Sequence, residues 1–149
     1  MKYSQAEYGR VFIIRLEDGD ILHEAIESFG IEHGVHSAAL IVVGGAADKS
    51  KLVVGPEDAE ARPVNPMVYE LSGVHEIAGT GTLFPNEKGE PVLHMHIAAG
   101  RENSTTTGCV RRGVKVWTTM EIVLFELISS KAHRVFDAQI GFELLNPGS

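Results

Sequence analysis

The sequence predicts an α+β domain, a mostly antiparallel β-sheet flanked by a few helices. Short apolar runs rich in β-branched residues recur at brief intervals, separated by Gly, Pro and Asn turns. One stretch, residues 20–34, instead spaces its apolar residues for a helix. The 149 residues are 44% hydrophobic and 22% charged, enough for one core and too few for two. A single domain is therefore expected over residues 1–145, with 146–149 as a disordered tail.

Residues 11–16 read as a buried strand ending in the turn Glu17-Asp18-Gly19-Asp20. Asp20 then caps a helix whose Leu22, Ile26 and Phe29, with Ile21 and Ala25, share one face, and Gly30 or Gly34 ends it. Residues 37–43 form a continuous apolar strand closed by Gly44-Gly45, and 51–54 a short one before Gly55-Pro56. After a turn-rich stretch to Pro66, strand patterns return at 67–71, 79–84, 92–98, 109–117 and 121–127. The polar segment 85–91 lies between two of them and reads as a hairpin loop. Residues 136–145 add a last candidate strand.

Charge and composition narrow the function. Twenty acidic residues against 13 basic ones give a net charge of -7, so the average surface repels phosphate backbones and nucleic acid is a disfavoured partner. The adjacent Arg111 and Arg112 are only a pair, short of a phosphate-tracking stripe. The longest uncharged apolar stretch, 37–47, is well below the roughly 20 residues of a membrane span, so no membrane association is expected. A polar start without an apolar signal region makes a cytoplasmic location the expectation. The lone Cys109 rules out an internal disulfide. Gly44 to Ser50 lacks the glycine that a phosphate loop needs before Lys-Ser, because Asp48 stands there.

His94-Met95-His96 carries the chemistry. In a strand, side chains two apart share a face about 7 Å apart along the chain, so both imidazoles can converge on one ion. Leu93, Met95, Ile97 and Ala99 then face the core, and the histidines face away. Zinc sites use at least three protein ligands. If residues 100–106 turn back, a register pairing His96 with Cys109 puts a soft thiol on the histidine face. His75 is a further candidate ligand, and Arg101 and Glu70 are candidate ligand-binding groups, with Glu102, Asn103 and Thr105 to Thr107 nearby. Each also has a bland reading: solvated histidines on a polar sheet face, a small buried cysteine, a solvated charged loop. His23, His33, His36 and His133 read as surface residues.

Leu71-Ser72-Gly73, residues 79–84, residues 89–101 with His94-Met95-His96, Gly108-Cys109 and residues 114–127 together resemble the plants and prokaryotes conserved (PPC) domain. Residues 19–45 fit too, so the resemblance covers nearly the whole chain. It implies an α+β fold assembled as a homotrimer. In plants the domain follows an AT-hook, whose Arg-Gly-Arg-Pro core is absent here. Stand-alone members are often labelled DNA-binding, which supplies one alternative function.

The domain also resembles acetolactate decarboxylase, whose zinc is held by a His-x-His strand and a third histidine after Gly-Gly. Carried over, His94 and His96 take the first two positions and Cys109 the third, with Thr107-Gly108-Cys109 replacing Gly-Gly-His. A thiolate ligand makes zinc a poorer Lewis acid, which favours binding over catalysis. The expectation is a cytoplasmic, trimeric, zinc-binding protein whose open metal position faces a small anionic molecule. A zinc-dependent lyase is the remaining alternative, with Arg101 holding a carboxylate and Glu70 or Glu102 moving a proton.

Overall fold

The computed structural model describes residues 1–148, so Ser149 of the expected tail lies outside the described residues. Strand β1 (Glu7–Glu17) leads into helix α1 (Leu22–His33), then β2 (Ala38–Ala46), β3 (Lys51–Pro56), β4 (Pro66–Glu70), β5 (His75–Pro85) and β6 (Pro91–Arg101). There follow β7 (Ser104–Cys109), β8 (Val116–Ile128), β9 (His133–Asp137) and β10 (Phe142–Asn146). Eight strands make one antiparallel sheet in the order β1-β8-β2-β5-β6-β7-β3-β4, and β9 and β10 form a separate hairpin. Among the described residues a single helix, not several, flanks the sheet.

The period-2 pattern sorts the two faces. Leu40 and Val42 of β2, Met95 and Ile97 of β6, and Ile122 and Leu124 of β8 are buried on one face, where Leu22 and Ile26 of α1 pack against them. The helix ends as the glycine predicts: Gly34 adopts φ 63° and its N–H reaches the Ile31 carbonyl. Its start differs from expectation. Ile21 occupies the N-cap without a side-chain bond, while the Asp20 carboxylate accepts from the Glu17 N–H (2.9 Å) and closes the preceding turn.

Strand boundaries also differ: β1 and β5 each begin four residues earlier than expected, and three further departures have a structural reason. β2 continues through Gly44-Gly45 to Ala46, with a register shift against β8 at the glycine pair. A Cβ on Gly44 (φ 143°) would collide with the Thr119 carbonyl, so glycine is needed for that close approach. The expected strand 109–117 is in fact the end of β7, a turn, and the start of β8. Val110 and Val114 are apolar because their side chains are fully buried at the two ends of that turn, whose Arg111 and Arg112 are exposed, and the two buried valines imitate a strand in sequence. The expected strand 136–145 is a hairpin, β9 and β10 flanking a turn at 138–141, and it begins earlier, at His133. Asn146, placed in the expected tail, pairs with His133.

The face opposite α1 carries one register row across the whole sheet: Ile13, Val123, Ile41, Thr80, His96, Cys109, Val53 and Val68. At the β1 end the row is apolar and exposed, with Ile13 at 80% and Ile41 at 48%. Its centre carries the chemistry-bearing residues.

Candidate metal centre

β6 alternates Leu93, Met95 and Ile97 into the core with His94 and His96 on the opposite, open face. The two imidazoles stand edge to face with ring centroids 5.1 Å apart. A tight turn at Glu102-Asn103, with Glu102 at φ 55°, sends the chain back as β7 in the register that pairs His96 with Cys109. Gly108 lets β7 meet β3, because a Cβ there would press on the Val53 carbonyl and the Leu52 side chain (2.7 and 2.9 Å). The Cys109 thiol is thereby held almost out of solvent, at 6% exposure.

Ligand atoms of His94, His96 and Cys109 all lie within 4.8 Å of one another. Two imidazole nitrogens and one thiol form a donor set suited to zinc or another divalent transition metal. His94 is pushed down to about 4, chiefly by loss of water around the ring and further by the positive charges of Arg111 and Arg134 and by His96. Its ring is therefore neutral at physiological pH, as a metal ligand must be.

Other candidates lie elsewhere. His75 begins β5 opposite Ala46, buried on the helix-covered face, with Nδ1 3.0 Å from the Gly73 carbonyl oxygen. It is five residues from Thr80, the partner of His96, which is roughly 16 Å along a strand. Arg101 ends β6, where its Nη1 donates to the Val74 carbonyl (2.8 Å) beside Gly73. Glu70 sits on β4 with its carboxylate 3.8 Å from Lys51 Nζ. His94, His96 and Cys109 are thus brought together, and His75, Arg101 and Glu70 are not among them.

A residue that sequence reasoning missed borders the cluster. Arg134 of β9 is buried at 3% exposure, and its Nη2 donates to Thr82 Oγ1 (3.1 Å) while Nε donates to the Val92 carbonyl (3.3 Å). Thr82 pairs directly with His94, so the guanidinium stands beside the histidines. That contact spans 52 residues and lies on a hairpin read as a single later strand, so no local motif announces it. Arg111, two residues past Cys109, acts on both His94 and Arg134. Its sequence signal was the Arg111-Arg112 pair, weighed only as a phosphate contact.

The family model of the Plants and Prokaryotes Conserved (PCC) domain matches residues 3–128. A plant- and prokaryote-conserved (PPC) protein from Pyrococcus horikoshii superposes with a TM-score of 0.85 at 24% identity, over 100% of this chain and 99% of that one. A metal-containing protein from Archaeoglobus fulgidus gives 0.82 at 27% identity, over 98% and 99%. A candidate DNA-binding protein from Bacteroides thetaiotaomicron gives 0.75 at 18% identity, over 97% and 99%. Comparison with curated proteins finds no match.

Proposed function

The chain belongs to the Plants and Prokaryotes Conserved (PCC) domain family, and from that premise we propose that it is a zinc-binding protein whose metal is held by His94, His96 and Cys109. The observation that carries the proposal is the approach of three soft or borderline donors from two paired strands to within 4.8 Å. The metal-containing Archaeoglobus relative, which shares the fold over nearly the full length of both chains, supports it.

Three protein ligands leave a fourth position open to a small anionic molecule. Zinc there would polarise an oxygen bound to it, less strongly than zinc on three histidines because the thiolate neutralises part of its charge. The lyase alternative asks Glu70 or Glu102 to move a proton and Arg101 to hold a carboxylate. Glu70 faces Lys51, Glu102 lies in the β6–β7 turn 4.0 Å from Arg101, and Arg101 is engaged by Val74, so binding is the better reading. The reading places the protein in the cytoplasm, where a reducing milieu keeps a single cysteine free to ligate. It also makes the protein a homotrimer, in which the exposed apolar row at Ile13 and Ile41 is covered by neighbouring copies.

The test is elemental analysis of protein purified without an affinity tag or added metal, beside the His94→Ala, His96→Ala double variant. About one zinc per chain, lost in the variant, is expected from a site with three protein ligands. Equal, negligible metal in both would overturn the proposal.

A further inference from the structure

Arg134 presents a physical problem. A guanidinium stays protonated in proteins, and burying one is costly unless a countercharge or full hydrogen bonding compensates it. Here the side chain is 3% exposed, yet among the described residues no carboxylate forms a salt bridge with it. Its bonds go to neutral acceptors: Nε to the Val92 carbonyl (3.3 Å), and Nη2 to Thr82 Oγ1 (3.1 Å) and the Thr82 carbonyl (3.5 Å). Nη1 has no acceptor among the described residues and is not fully buried, so it opens toward the surface, free to meet an incoming group.

The surroundings sharpen the problem. Arg111 adds a second positive charge that opposes Arg134, while Glu143 of β10 and the Cys109 sulfur attract it from outside salt-bridge distance. Because Arg134 is bonded to Thr82 Oγ1, and Thr82 pairs with His94, the excess charge is concentrated beside the histidines. A divalent ion with one thiolate ligand would raise that excess further. An anion seated there would neutralise both guanidinia and give Nη1 its missing acceptor.

We propose that Arg134 and Arg111 form an oxyanion subsite beside the His94–His96–Cys109 cluster, taking a small carboxylate or phosphate. The subsite rests on the proposed metal reading only for the second contact of the anion, at the open coordination position. Arg134 supplies a donor held by Thr82 and Val92, and Arg111 supplies a second from an exposed turn position.

The experiment is calorimetric titration of lactate and of inorganic phosphate into wild type, Arg134→Gln and Arg111→Gln, with zinc measured in each sample. Wild type is expected to bind one anion per chain, and each substitution to weaken binding about tenfold or more. Preference for lactate over phosphate assigns the ligand to organic acids, and the reverse to phosphates. If Arg134→Gln does not fold by circular dichroism, Arg111→Gln, at an exposed position, carries the test. Zinc at one per chain with no anion binding, or with binding unchanged in the variants, overturns the subsite and leaves the metal reading standing. Anion binding that the variants lose, in protein devoid of zinc, supports the subsite and overturns the metal reading.

Discussion

Cys109 can be explained in two ways that make different demands. As a buried small hydrophobe it needs only its volume, whereas as a ligand it needs its sulfur aimed at His94 and His96, which the His96–Cys109 register supplies. Cys109→Ala separates the two. A ligand that binds only the folded state stabilises it by mass action, about 4 kcal/mol when free zinc exceeds its Kd a thousandfold. Added zinc is therefore expected to raise the wild-type Tm by thermal melting and to leave the variant nearly unmoved. A zinc-induced rise of equal size in both would remove Cys109 from the ligand set. The residue pair itself was legible in sequence, because His-x-His fixes two side chains on one face of any strand. Arg134 was not legible, since its place beside His94 depends on how a distant hairpin docks.

At the scale of elements, β1 is an edge strand held to β8 by a ladder that slips between Tyr8 and Val11. At that slip Glu126 accepts from the Arg10 backbone N–H (2.9 Å), Nε (2.8 Å) and Nη2 (2.7 Å), so a side chain replaces lost ladder bonds. The Arg10 hydrogen bonds hold the Glu126 carboxyl at about 2, below its ordinary 4.5. A depressed carboxylate contributes stability above its unfolded value and loses it as pH falls through the folded one. Glu126→Gln is expected to lower the Tm by about 3–5 °C at pH 7, allowing for the exposure of Arg10. The gap between variant and wild type should close as pH drops from 4.5 toward 2, and a gap constant over that range would show the carboxylate charge to be irrelevant. The strands themselves were legible wherever apolar residues alternate or run between turns, as in 92–98 and 121–127. They were misread where the two ends of a turn are buried and apolar, at Val110 and Val114, and where a short hairpin, β9–β10, hides inside one run.

The whole molecule leaves most of one sheet face open, beyond Thr82, where Arg134 of the β9–β10 hairpin docks. Helix α1 covers the other, and on the open face Val11 and Ile13 of β1 and Ile41 and Val43 of β2 are exposed on either side of β8. Clustered apolar exposure of this kind marks an association surface, and a second and third copy of the chain are the proposed cover. If the proposed trimer forms, Ile41→Lys should shift it toward monomer by analytical ultracentrifugation, while leaving the monomer folded because the position is already 48% exposed. A wild-type monomer would overturn the assembly. The same face bears on the DNA reading attached to the Bacteroides relative. A duplex must find enough Lys and Arg to release its condensed counterions, and this chain carries 13 basic against 20 acidic residues. Three copies would multiply the deficit threefold, and the exposed Arg111 and Arg112 form only a pair, too short to track a phosphate backbone, while Arg134 is buried at 3% exposure. Duplex DNA is therefore expected to migrate unretarded with the protein at low salt, where electrostatic attraction is strongest. Retardation that fades as salt rises would mean that assembly gathers the scattered basic residues into a stripe the single chain does not display.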